Sequence, residues 1–428
     1  MKEEMTETRK LFSNSLIVIV GTLVASIFSY LFNMLMGRYL GPANYGEMTA
    51  LMSLLMIISV AGGALLTVAM RYSSELFVGG KFLALKKLFA VLTRYVYFFS
   101  FVLIIILLAL IKPIANYFSI DNLLPVAIAF SGLIFGMVTM VNKGLLQGVQ
   151  KFSAVSLIGV LEMALRLGLG ILLVKIGFAV SGALSAVILA TAIGYAATFF
   201  PIRKIFKNSH QDKVSKFHLF DKKEIGKYFG PAFLSSLLLI IALNLDVILV
   251  KHYFSPADAG MYSAVSAIGK IILYVTAPII SVMFPMISEK TVSGEKHYKL
   301  LFFSLMFVIV GALIVLAAYV IAPAKIIGLL YGSQYVSLFY LLPEIGLAIL
   351  LYSLINLLTN YYLVVKDFRF LWFFLIAVAG LTLAISQFHS SLLLVVRLMI
   401  LFFGLLFLSM MVYYLLSKRD QIKSTLRG

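Results

Sequence analysis

Tyr39–Leu51 reads YLGPANYGEMTAL, and Tyr253–Val265 reads YFSPADAGMYSAV. Tyr, Pro, Ala, Gly and a second Ala coincide at an offset of 214 positions, half of the 428-residue chain. Asn44/Asp258 and Thr49/Ser263 are close substitutions. Each copy follows one apolar stretch and opens the next. Proline cannot continue the preceding helix, and glycine permits a tight reversal. A weaker echo joins later stretches: GVQKF (Gly148–Phe152) resembles KDFRF (Lys366–Phe370). The chain reads as two related halves.

What those halves are follows from composition. Apolar residues make up 62% of the chain, charged residues 12%, and mean hydropathy is +1.06. Soluble domains are about half apolar and a quarter charged, so this is an integral membrane protein. Apolar stretches of about 20 residues occur at 11–37, 47–71, 88–111, 123–146, 153–174, 179–201, 228–251, 261–287, 300–322, 338–364, 370–388 and 391–416. The expected fold is all-α, with 12 transmembrane helices. The first stretch is too long for a signal peptide and ends at Arg38 without a small-residue cleavage site. Cysteine is absent, which excludes disulfides, thiol redox chemistry and thiolate metal sites. The five histidines have no ligand-like spacing, so neither a metal nor a cofactor is expected.

The net charge of +18 is a topology signal rather than a nucleic-acid signal. Of the 35 Lys and Arg, 26 fall at the N-terminus, in the even-to-odd loops and in the tail; five fall on the opposite face and four within spans. By the positive-inside rule both termini are cytoplasmic. The expected layout is an N-terminal lobe (1–201), a basic linker (202–227) with His210 and His218 held near anionic headgroups, and a C-terminal lobe (228–428). Lys81–Phe89 reads as a short basic interfacial helix. Six spans per half is an even number, so the halves should be related by a pseudo-twofold along the membrane normal, as in transporters with parallel repeats.

At these residues the chain resembles the multidrug/oligosaccharidyl-lipid/polysaccharide flippase superfamily, and within it the polysaccharide-transporter branch, the O-antigen-type oligosaccharide flippases. The resemblance is carried by Arg38-Tyr-Leu-Gly-Pro42 with Tyr45-Gly46; Gln147-Gly148 with Lys151-Phe152; Gly230-Pro231; Asn244-Leu-Asp246; Pro256, Ala259-Gly260-Met-Tyr262; and Tyr331-Gly332 with Tyr335. It implies a V-shaped, two-lobed transporter that flips polyprenyl-diphosphate-linked oligosaccharides to the outer leaflet. Lipid II flippases of the superfamily typically carry fourteen spans and an arginine cluster near the first two. The drug-extruding branch often has an acidic residue in the first span, where this chain has only the amides Asn14 and Asn33.

Ionisable residues within spans are costly and mark function by default. Glu162 and Arg166 lie four apart on one face of the fifth span and can pair. Asp246 in the seventh span and Lys270 in the eighth flank the second repeat turn and can approach each other. Arg71 closes the second span, where the resemblance places a basic residue at the inner cavity mouth. These five are the candidate substrate-binding residues, expected around a central cavity lined by the first, second, seventh and eighth spans. The bases would hold the diphosphate; the acids would partner a base, bind glycan hydroxyls or couple an ion. Arg94, Arg397 and Glu344 read as interfacial. Gly132–Gly136 and Gly144–Gly148 read as close helix packing.

Three functions compete. A flippase for lipid-linked oligosaccharide fits the net positive set of intramembrane charges. A Na⁺- or H⁺-coupled multidrug exporter would favour net acid. A glycan polymerase or ligase would need reactive groups on a large outer loop, and the outer loops are short. The expected protein is not an enzyme and acts as a monomer in the plasma membrane. Its partners are the lipid-linked glycan, membrane lipids and the glycosyltransferases or polymerase of the pathway. Nucleic acid is not among them, and there is no nucleotide motif.

Overall fold

Gly41 carries the reversal that the repeat predicts. Its φ of 71° and ψ of 170° break the helix α1 (Lys2–Val78), a conformation that glycine adopts without a Cβ clash. Unbroken, the 77 residues of α1 would extend about 115 Å, nearly four times the roughly 30 Å hydrocarbon core. Pro42 follows the break, where a missing N–H costs nothing. The second copy turns by another device. Ser255, in extended backbone, caps α9 (Pro256–Gly269): the Asp258 N–H donates to Ser255 Oγ at 3.2 Å.

The structure is a computed structural model describing residues 2–207, 222–292 and 298–417. It divides into two units at Asp221/Lys222. The first holds α1, α2 (Phe82–Ala109), α3 (Ile111–Tyr117), α4 (Leu123–Ser131), α5 (Leu133–Gly148), α6 (Phe152–Leu173) and α7 (Ala179–Lys207). The second holds α8 (Lys222–Tyr253), α9, α10 (Ile271–Val292), α11 (Tyr298–Ile321), α12 (Pro323–Tyr331), α13 (Leu341–Val364), α14 (Phe370–Gln387) and α15 (Leu392–Ser417). Among the described residues there is no strand. Ten helical stretches are long and apolar enough to cross a membrane. Two of them are double, broken at Gly41 and at Gly177–Ala179 (φ 99° and 42°). That makes twelve crossings, as hydropathy predicts.

Packing within each unit shows the alternation of spans. Gly21 abuts Ser156, and Gly170 abuts Phe32 and Met36, so the first and fifth spans run parallel. Gly62 abuts Met140, Gly144 abuts Leu66 and Gly148 abuts Met70, so the second and fourth do too. In the second unit the eighth and tenth spans repeat that register: Thr276 Oγ1 donates to Ser353 Oγ at 3.3 Å, within one residue of the Gly62–Met140 contact shifted by 214. The repeat also reaches single hydrogen bonds. Thr49 Oγ1 donates to the Tyr45 carbonyl at 2.9 Å, and Ser263 Oγ to the Ala259 carbonyl at 2.8 Å. Tyr45 with Met48 in one copy becomes Ala259 with Tyr262 in the other; all four side chains are buried, and the large ring has changed places.

The echo at the later joints is also built alike. After α5, Gln150 adopts φ 59° and the Lys151 N–H reaches the Leu146 carbonyl; after α13, Lys366 adopts φ 56° and the Asp367 N–H reaches the Tyr362 carbonyl. Both are left-handed helix caps of the Schellman kind.

Three expectations change. Lys81–Phe89 is not a separate interfacial helix: α2 begins at Phe82 and runs unbroken to Ala109, because no Gly or Pro separates the basic stretch from the apolar one. The linker is shorter than 202–227, since α7 extends to Lys207 and α8 begins at Lys222; His210 and His218 lie outside the described residues. Two short helices, α3 and α12, were not anticipated. Each has the proline of an Ile-x-Pro sequence (Ile111–Pro113, Ile321–Pro323) in its first turn and joins the third to fourth or ninth to tenth span.

Candidate functional site

In the first unit the charges gather where α5, α6 and α7 meet. Glu162, on α6, is 7% exposed. Its Oε2 accepts from Lys143 Nζ of α5 at 2.8 Å. The carboxylate can sit this close to α7 because Gly194 faces it: a Cβ there would lie 3.3 Å from Oε2. One turn along α6, the Arg166 guanidinium lies over the Phe32 ring of the first span, 4.3 Å from its centroid, a cation–π contact. Beside Lys143, Asn142 Nδ2 donates to Thr198 Oγ1 at 2.6 Å, and Thr198 Oγ1 donates to the Tyr195 carbonyl. The result is a polar cluster inside the bundle that includes Lys143, Glu162 and Arg166.

Sequence reading finds Glu162 and Arg166 but gives Lys143 to an inner loop. Lys143 lies within α5 on a half-buried face. The signal was present: a lysine between Gly136 and Gly148 sits on a helix whose glycines demand close packing. Gly144 and Gly148 meet that demand, each with backbone of α1 about where a Cβ would stand, 2.5 Å from the Leu66 and Met70 carbonyl oxygens. Gly132 is likewise close against Ile188, whereas Gly136 faces open space.

In the second unit Asp246 of α8 is 2% exposed. Its Oδ2 accepts from Tyr262 Oη and Ser266 Oγ, both at 3.0 Å and both on α9. Its Oδ1 has no hydrogen-bond partner among the described residues. The expected approach of Lys270 is not what holds this carboxylate. Lys270 lies one turn beyond Ser266, at the interruption between α9 and α10, and among the described residues it makes no ion pair with Asp246. The nearer hydroxyls occupy the carboxylate first.

A further polar feature escaped the sequence reading. A cavity of about 370 Å³ lies between α10 and α13, lined by Ser281, Asn356 and Asn360 with Ala277, Ile280 and Phe284. Asn360 Nδ2 donates to the Asn356 side-chain oxygen at 2.9 Å. Neutral amides carry no hydropathy alarm, so they pass unnoticed in a charge survey.

The remaining charges lie outside these clusters. Arg71 pairs with Glu75 one turn on, at 3.2 Å, with both side chains more than half exposed; such pairs contribute at most about 1 kcal/mol. Arg94 and Arg397 are exposed. Glu344 lies in the first turn of α13, where the helix dipole favours an acid.

Residues 11–291 match the model of a family described as polysaccharide biosynthesis protein. A sequence comparison with curated proteins gives no match. Among solved structures, the fold is similar to the inward-facing conformation of a multidrug resistance MATE family transporter of the MOP superfamily. That similarity has a TM-score of 0.72 at 15% identity, over 92% of this chain and 98% of the other. A second is a MOP superfamily transporter from Pyrococcus furiosus, described as having a binding pocket of reverse polarity (TM-score 0.65, 16% identity, 97% and 95% coverage). An outward-facing MATE transporter matches at TM-score 0.65 and 15% identity, over 96% of each chain. With two six-helix units, an internal repeat and this match over most of the sequence, the chain belongs to the polysaccharide biosynthesis protein family, with the fold of the MOP-superfamily membrane transporters.

Proposed function

We propose that the chain flips a polyprenyl-diphosphate-linked oligosaccharide from the cytoplasmic to the outer leaflet of the plasma membrane by alternating access, with both termini cytoplasmic. The observation that carries this reading is the cluster in the first unit, where the ammonium of Lys143 and the guanidinium of Arg166 both lie inside the bundle. Guanidinium and ammonium groups bind phosphate oxygens through charge-assisted hydrogen bonds, so the pair of bases suits a diphosphate. The isoprenoid stays in lipid. No catalytic step is assigned to the chain, which works as a monomer on a substrate made by the pathway's glycosyltransferases.

Asp246 favours a coupled mechanism. Its Oδ2 is held by two hydroxyls and its Oδ1 is free among the described residues, an arrangement that can take a proton or a small cation. The same feature would serve a multidrug exporter, the second reading. Both readings are tested in cells lacking their own flippase. Wild-type protein should restore surface glycan, and Arg166→Ala at equal abundance by blot should reduce it at least about tenfold, the loss of a charge-assisted contact. Normal glycan with Arg166→Ala removes the cluster from the mechanism. Failure of wild type to restore glycan, with resistance to cationic dyes instead, would establish the exporter.

A further inference from the structure

Outside the charge cluster, the first unit carries a groove of about 650 Å³ between α2 and α7. The two helices run antiparallel across it: Phe89 packs on Phe206, and further in Tyr97 Oη meets Tyr195 Oη. The groove therefore opens at the ends of α2 and α7 where Lys81, Lys86, Lys87, Arg203, Lys204 and Lys207 collect, and it closes at the tyrosine pair.

Three cations line it, Lys86, Arg94 and Arg203, and among the described residues no acid does. All three are exposed. Arg94 lies twelve residues into α2, about 18 Å from its start, and beside it Tyr95, Phe98, Phe99 and Phe101 are bare. That is a lipid-facing surface, on which an arginine without a counter-charge is costly. Side chains lean toward the N-terminus of their own helix. Arg94 of α2 and Arg203 of α7 face the same groove from opposite walls, and the lean of Arg94 is toward the groove mouth and that of Arg203 away from it. Thr93, on the α2 wall, has a hydroxyl with no hydrogen-bond partner among the described residues. Both walls also carry aromatic rings, Phe89 on α2 and Phe199 and Phe206 on α7.

We propose that this groove holds one anionic phospholipid, with its phosphate between Arg94, Arg203 and Lys86 and an acyl chain along the phenylalanines. Charge complementarity selects an anion, and the bare apolar flanks select one that carries a hydrocarbon tail. The site is separate from the transported substrate: neither Lys143, Glu162 nor Arg166 lines it.

The experiment is native mass spectrometry of the delipidated full-length protein titrated with phosphatidylglycerol or phosphatidylcholine. Wild type should retain one phosphatidylglycerol about tenfold more strongly than phosphatidylcholine, given the attraction of each basic residue for anionic lipid. The triple variant Lys86→Gln/Arg94→Gln/Arg203→Gln should lose that preference. Lys87→Gln/Lys204→Gln/Lys207→Gln, which removes as many charges from the same helix ends outside the groove lining, should keep it. Equal retention of the two lipids by wild type overturns the proposal even if the triple variant fails to fold. Equal loss in both variants also overturns it, since the attraction would then be diffuse. So does stronger retention of polyprenyl phosphate than of phosphatidylglycerol, which would make the groove a docking place for substrate.

Discussion

Lys143 and Glu162 meet at 2.8 Å with side chains 15% and 9% exposed, so each is the other's main compensation for leaving water. Removing one partner of such a pair leaves a buried charge and costs about 3–5 kcal/mol, whereas replacing both is close to neutral. Lys143→Met and Glu162→Gln should each lower the melting temperature of the purified protein, and the double substitution should recover most of it. Glycan flipping should stay low in the double variant, because Lys143 is one of the two bases proposed to hold the diphosphate. Recovery of stability and flipping together would make the pair purely structural. Sequence reading reached Glu162 but not its partner, for a physical reason. A lysine three residues from the end of an apolar stretch is counted as a loop charge, and only the register of α5 against α6 shows that it turns inward. Asp246 was found as well, but its hydroxyl partners Tyr262 and Ser266 are spaced four apart on another helix, and no single-sequence rule assigns them to a carboxylate.

At the level of helices, α1 and α5 meet backbone against backbone. Gly144 and Gly148 bring α5 so near that a Cβ on either would stand 2.5 Å from a carbonyl oxygen of α1. Backbone cannot rotate aside as a side chain can, so Gly148→Leu must push the helices apart. Overpacking of this kind costs about 1–3 kcal/mol, and the variant should show a lower melting temperature and reduced membrane abundance. Gly136→Ala, where nothing lies within 4 Å, should leave both unchanged and serves as the control. The spans themselves were legible, because twenty apolar residues in a row have few alternatives in a bilayer. Boundaries were legible where Pro or Gly marks them, as at Gly41–Pro42 and Ser255–Pro256. The start of α2 was misread because its basic first turns differ from the span they continue only in composition, not in backbone.

For the molecule as a whole, six crossings bring each unit back to the face where it started. Reporter fusions after Lys112 and after Lys207 should therefore lie on opposite sides of the membrane, with the Lys207 fusion active as a cytoplasmic reporter, since the basic residues gather on that side. The same side for both would refute the topology. The equivalent bonds of Thr49 and Ser263, at a constant offset of 214, point to how such a chain arose. A gene for a six-crossing ancestor could be copied in tandem and joined by a short connection without re-encoding its insertion, because each copy is threaded into the bilayer in the direction it already had. An odd number of crossings would have forced one copy to evolve an inverted charge bias first. Once fused, the copies were free to diverge singly. One turn now depends on the backbone freedom of Gly41 and the other on the Ser255 cap, so a mutation in either is no longer suffered twice, as it would be in a dimer of identical halves.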